Sequence, residues 1–99
     1  MFLSGQVAQD PRSGQLQVSG VAEQTHQVLR NFRTTLDDLG LTFANVVKVN
    51  ALLVSMSEFA TFNAVYAEYF EPPFPARTTV GVAALPLGAG VEIEMIAKR

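Results

Sequence analysis

Pro75-Ala76-Arg77-Thr78-Thr79-Val80-Gly81-Val82-Ala83-Ala84-Leu85, a Pro86-Leu87-Gly88-Ala89-Gly90 break, and Val91-Glu92-Ile93-Glu94-Met95-Ile96-Ala97 decide the fold. Both halves alternate, the mark of half-buried strands between Pro/Gly punctuation. In the first, Thr78, Val80, Val82 and Ala84 oppose Arg77, Thr79, Gly81 and Ala83. In the second, Val91, Ile93, Met95 and Ala97 oppose Glu92, Glu94 and Ile96. One guanidinium opens the first strand, and two carboxylates share a face of the second. Arg77 and Glu92 are therefore the first candidates for chemistry. Glu94 shares the face of Glu92 and stays open as the alternative base.

Upstream of this stretch the period changes twice. Val46 to Val54 is a β-branched, mostly apolar run that reads as a central strand. Ser57 is placed to cap a helix whose apolar face is Phe59, Phe62, Val65, Tyr66, Tyr69 and Phe70, with Pro72-Pro73 ending it. Earlier still, Val21, Thr25, Val28, Leu29, Phe32, Leu36 and Leu39 recur at helical spacing, and Gly40 supplies the stop. The chain opens with a strand from Phe2, an Asp10-Pro11-Arg12-Ser13-Gly14 turn and a returning arm, Gln15-Leu16-Gln17-Val18. The order is β-β-α-β-α-β-β. Strands interleaved with two helices make a two-layer α+β sandwich, the helices on one sheet face.

Ninety-nine residues make one domain with one core. Apolar residues are 48% and charged residues 16%, against roughly 25% charged in an average domain. A small domain needs more charged surface, not less, so part of the surface is expected to lie against copies of the chain. The uncovered sheet face, read as carrying Thr79, Ile96 and small residues, points the same way, with closed cyclic symmetry as the usual solution. Net charge is −2, with no basic patch of the kind a nucleic-acid binder needs. The chain has no Cys and one His, His26, which excludes disulfides, thiolate catalysis and Cys- or His-rich metal sites. His26 reads as a surface residue. No apolar run reaches spanning length, so the expected setting is the cytoplasm, without membrane or nucleic-acid partners.

Ser4-Gly5-Gln6, Asp10-Pro11, Gly14, Gln24-Thr25, Asn31, Asn63-Ala64-Val65-Tyr66, Phe74-Pro75-Ala76-Arg77-Thr78, Leu85-Pro86 and Glu92-Ile93-Glu94-Met95-Ile96-Ala97 stand in an order and spacing that resemble the RidA/YjgF family of enamine/imine deaminases. The family is also known as translation initiation inhibitor or L-PSP endoribonuclease. The resemblance covers essentially the whole chain, starting after the Gly-Pro-Tyr-Ser-Gln-like segment that members usually carry. It implies a chorismate-mutase-like fold and a homotrimer with ligand sites between subunits. It also implies hydrolysis of 2-iminopropanoate and related imino or enamine acids to keto acids and ammonia, without metal or organic cofactor. By position, Arg77 would grip the substrate carboxylate and Glu92 would position water. Ser4, Gly5, Asn63 and Thr79 would line or shape the pocket, Thr79 standing where a Cys is common. Asn63 also reads as a helix residue fixing neighbouring backbone. The competing readings are a trimeric small-carboxylate binder without turnover and, behind it, a ribonuclease.

A guanidinium fork matches a carboxylate bidentately, and a carboxylate can first take a proton from water and then return it to a departing amine. If the last two strands pair about the Pro86–Gly90 break, Arg77 and Glu92 of one chain stand roughly 20 Å apart. The working pair is then expected to form across a subunit boundary.

Overall fold

The computed structural model describes residues 1–17 and 19–99. Its elements are β1 (Phe2–Gln6), α1 (Val21–Asp38), β2 (Val46–Leu53), α2 (Phe59–Tyr66), β3 (Ala76–Gly81) and β4 (Val91–Ala97). The sheet order is β1-β4-β2-β3. β4 runs antiparallel to both β1 and β2, while β2 and β3 are parallel, joined through α2. The α+β sandwich expected from the sequence is present, with two differences in its strands.

The first concerns the returning arm. Among the described residues its contact with the opening segment is a single antiparallel bridge, Gln9 to Leu16; Val18 lies outside the described residues. The turn itself forms as its chemistry requires. Asp10 Oδ1 accepts from the Arg12 N–H at 2.8 Å, and Gly14 takes φ +72°. Of Gln15, Leu16 and Gln17 only Leu16 packs against the core, too little apolar surface to hold a further strand on the sheet. The described order is thus β-α-β-α-β-β. The second difference is that β3 and β4 are not neighbours, because β2 inserts between them.

The helices cover one face. α1 buries Thr25, Val28, Leu29, Phe32 and Leu36, and its buried hydroxyl is satisfied because Thr25 Oγ1 donates to the Val21 carbonyl at 2.7 Å. Its C-terminus closes with Gly40 at φ +72°, where the Leu41 N–H reaches back to the Leu36 carbonyl and the Gly40 N–H to that of Asp37. Both are the bonds of a glycine-terminated helix end. α2 starts later than the Ser57 cap implied. A 3-10 turn over Met56–Glu58 precedes it, and Ser57 Oγ is bonded to Ser55 Oγ at 2.7 Å instead. From α2, Phe62, Val65 and Tyr66 are buried, and Phe62 and Tyr66 join Val49, Ala51, Leu53, Val91, Ile93 and Met95 of the sheet in one core.

Register then fixes which residues share a face. Val49 pairs with Arg77 and with Met95; Ala51 pairs with Thr79 and with Ile93. Arg77 and Thr79 therefore lie on the helix-covered side, and the placement of Thr79 on the uncovered face is corrected. The alternation of β3 holds, but the side that α2 covers is set by the pairing with β2 and not by β3 alone. The uncovered face carries Glu92 and Glu94 of β4, Lys48, Asn50 and Leu52 of β2, and Val80 of β3. It is more charged than expected, and two of its ions, Lys48 and Glu94, are held in bonds with neutral groups. Lys48 Nζ donates to Thr78 Oγ1 at 2.9 Å and Asn50 Nδ2 to Glu94 Oε1 at 2.8 Å. Beside them Phe2 is 83% exposed.

Candidate active site

Arg77 stands on the edge strand β3 and turns under α2. Its guanidinium carbon is 4.7 Å from the centre of the Tyr66 ring and 5.7 Å from those of Phe59 and Phe62. These three residues recur at one helical face, so the aromatic stripe of α2 serves two ends, the core and a cation. No carboxylate lies within ion-pair distance of Arg77 among the described residues, and none of its N–H groups is taken by a protein acceptor. A half-buried guanidinium held by ring faces keeps its charge and its fork for an incoming anion. Burial pushes the Tyr66 phenol up to about 12, with the Arg77 charge pulling partly back.

The other candidates gather elsewhere. Glu92 is half-buried on the uncovered face, and Gly5 of the opposite edge strand β1 leaves room for it. A β-carbon at Gly5 would come within 2.8 Å of Glu92 Oε2. Among the described residues Glu92 has no hydrogen-bond partner, whereas Glu94 is exposed and engaged by Asn50. That contrast favours Glu92 over Glu94 as the free base. Ser4 lines a depression of about 260 Å³ with Phe2, Lys48, Asn50, Glu94 and Ile96, on the same face as Glu92.

Two half-sites result. Ser4, Gly5 and Glu92 belong to the β1/β4 end and the uncovered face. Arg77, Thr79 and Asn63 belong to β3 and α2 at the other edge. Arg77 pairs with Val49 and Glu92 with Leu52, three residues along β2. Three residues of rise and two strand spacings put their backbones about 14 Å apart, with the side chains on opposite faces. The roughly 20 Å expected for neighbouring strands is shortened because β2 intervenes and changes the offset. The separation itself stands, since the two groups of one chain do not converge.

In the second half-site, Thr79 Oγ1, Asn63 Oδ1 and the Tyr66 hydroxyl are buried without a hydrogen-bond partner among the described residues. Asn63 Oδ1 therefore holds no neighbouring backbone, contrary to the reading from sequence. The sequence shows the 59, 62, 66 spacing but not that these rings wall the Arg77 guanidinium. His26 is also no free surface residue. Its Nδ1 lies 2.8 Å from Tyr69 Oη, and its Nε2 lies 4.0 Å from Glu68. Among the described residues no cluster of His, Cys, Asp or Glu could hold a metal, and no helix is long and apolar enough to cross a membrane.

Residues 1–99 match the family described as Endoribonuclease L-PSP. The bovine 2-iminobutanoate/2-iminopropanoate deaminase is 50% identical over 97 residues, covering 98% of this chain and 71% of the bovine protein. The human protein of that name is 46% identical over the same length, again 98% of this chain and 71% of its own. RidA from the Antarctic bacterium Psychrobacter sp. superposes with a TM-score of 0.92 at 40% identity, over 97% of this chain and 77% of that one. The chain belongs to the RidA/YjgF family, also called L-PSP.

Proposed function

We propose that the chain is a hydrolytic deaminase that converts 2-imino and enamine acids, such as 2-iminopropanoate, to 2-keto acids and ammonia. The observation that carries this reading is the unpaired Arg77 guanidinium on its aromatic wall, a receptor for a small carboxylate. The deaminase names of relatives at 46–50% identity support it. Arg77 holds the substrate carboxylate through paired charge-assisted bonds and so fixes the position of the neighbouring C=N carbon. Glu92 takes a proton from water as the water oxygen bonds to that carbon, the C=N electron pair moves to nitrogen, and Glu92 passes that proton to it, giving a carbinolamine. Glu92 then takes the hydroxyl proton of the carbinolamine and delivers it to the amine as the C–N bond breaks, so that the carbonyl forms and ammonia leaves. Each proton taken up is passed on to nitrogen, so the carboxylate is regenerated.

Because the half-sites occupy opposite edges of the sheet, a complete site uses Arg77 of one copy and Glu92 of the next. Such head-to-tail contacts close as rings rather than two-fold dimers, in keeping with the homotrimer that the family resemblance implies. The exposed Phe2 and Val80 on the uncovered face supply apolar surface for that contact. A binder without turnover is the second reading, favoured by the half-buried, aromatic-held Arg77 and by nothing at Glu92. The ribonuclease reading has only the family description behind it, as the single His is tied to Tyr69.

The test is a coupled assay in which an amino-acid oxidase generates 2-iminopropanoate and its loss is followed with and without the chain. Acceleration over spontaneous hydrolysis is expected; saturable pyruvate binding without acceleration would leave the binder. The assay also reads the room made for Glu92. In Gly5→Ala the new methyl displaces the end of a flexible side chain, so the fold should hold and the melting temperature change little. The displaced carboxylate should lower kcat on the order of 10²-fold. A Gly5→Ala chain of full activity would remove Glu92 from the water-positioning role.

A further inference from the structure

We infer that Tyr66 is a positioning residue for the reaction, its ring face holding the Arg77 guanidinium in the orientation that receives the carboxylate; this rests on the reading of Arg77 given above. Of the three rings around Arg77, that of Tyr66 is closest, at 4.7 Å against 5.7 Å. It is also the best fixed. Tyr66 stacks on Phe70 at 4.4 Å and 21°, tilts against Phe62 at 5.6 Å, and Phe70 is in turn braced edge-on by Phe43 at 5.0 Å. The ring is thus locked by a second layer, as a group that positions another must be.

The chemistry favours a ring over a carboxylate in this place. A carboxylate would fix the guanidinium more strongly but would occupy its fork and cancel its charge. A ring attracts the cation through its quadrupole and accepts none of the hydrogen bonds meant for the ligand. Among the described residues the Tyr66 hydroxyl has no hydrogen-bond partner, and it is the ring face that meets Arg77. Burial keeps the phenol protonated up to about 12, and a neutral ring does not compete with the ligand for Arg77.

The experiment compares the parent chain with Tyr66→Phe, Tyr66→Leu, Arg77→Ala and the double variant, using calorimetric titration with pyruvate and steady-state kinetics. Tyr66→Phe should stay within about twofold of the parent. Tyr66→Leu should weaken pyruvate and raise KM by about fivefold, the size of one cation–π contact, with kcat nearly unchanged. In the Arg77→Ala background Tyr66→Leu should add nothing. Should Tyr66→Leu fail to fold, a fluorinated phenylalanine at 66 keeps the volume while draining the ring face, and the same loss is expected. Unchanged pyruvate affinity in a folded Tyr66→Leu or fluorinated chain overturns the inference, as does a Tyr66→Phe as impaired as Tyr66→Leu. Arg77→Ala that binds pyruvate normally would instead overturn the clamp itself.

Discussion

Arg77→Ala should give a folded chain that no longer speeds the loss of 2-iminopropanoate. Two charge-assisted hydrogen bonds to one carboxylate are at stake, so kcat/KM should fall by about 10²- to 10⁴-fold. The fold should survive because Arg77 lies on an edge strand, half-buried, and its side chain makes no protein hydrogen bond or ion pair among the described residues. Circular dichroism and a melting curve within a few degrees of the parent would establish that the loss is chemical. Arg77→Lys sharpens the result, for it keeps the charge and gives up the planar fork. It should recover only part of the affinity for pyruvate. Parent-like acceleration by Arg77→Ala would place the carboxylate elsewhere and end the proposal.

Mixing two dead chains should restore activity. Arg77→Ala and Glu92→Gln are each expected to be inactive alone, the second by about 10²- to 10⁴-fold for loss of the general base. When the two are unfolded together at equal amounts and refolded, each site draws its arginine from one copy and its carboxylate from another. In any ring of randomly mixed copies, about one quarter of the sites then receive both intact groups, and activity should return to roughly that fraction of the parent. A site built within one chain would give none, since every chain in the mixture lacks one group. The prediction follows from register alone. Arg77 faces α2, Glu92 faces away from it, and no side-chain rotation carries one through the sheet to the other. An inactive mixture whose copies demonstrably exchange would overturn the shared site.

Both strand faces of the quoted stretch were legible, because period-two alternation survives in any register. The helical stripe of α1 and its glycine stop were legible for the same reason: each is a local pattern answering a local constraint. Neighbour relations were not. Nothing in Val91–Ala97 says that it inserts between β1 and β2 rather than pairing with β3. That order lies in β4 pairing with both β1 and β2 while β2 takes β3 on its other side, contacts between residues far apart in the chain. The same non-local fact moved Thr79 to the covered face. Ser57 failed as a cap because Ser55 offered it a nearer partner, a competition between two short polar side chains that spacing does not rank. The site divided in the same way. Arg77 and Glu92 could be picked out by charge in an apolar setting. The role of Phe59, Phe62 and Tyr66 depended on what lay beneath the helix.

The chain has two tyrosines and no tryptophan. One of the two lies against the guanidinium at the site, and the other is bonded to His26. Near-ultraviolet spectra of this protein therefore contain a native chromophore seated where an anion would arrive. Its circular dichroism can follow occupancy during a titration with no dye, tag or substitution, while the second phenol supplies a built-in reference signal.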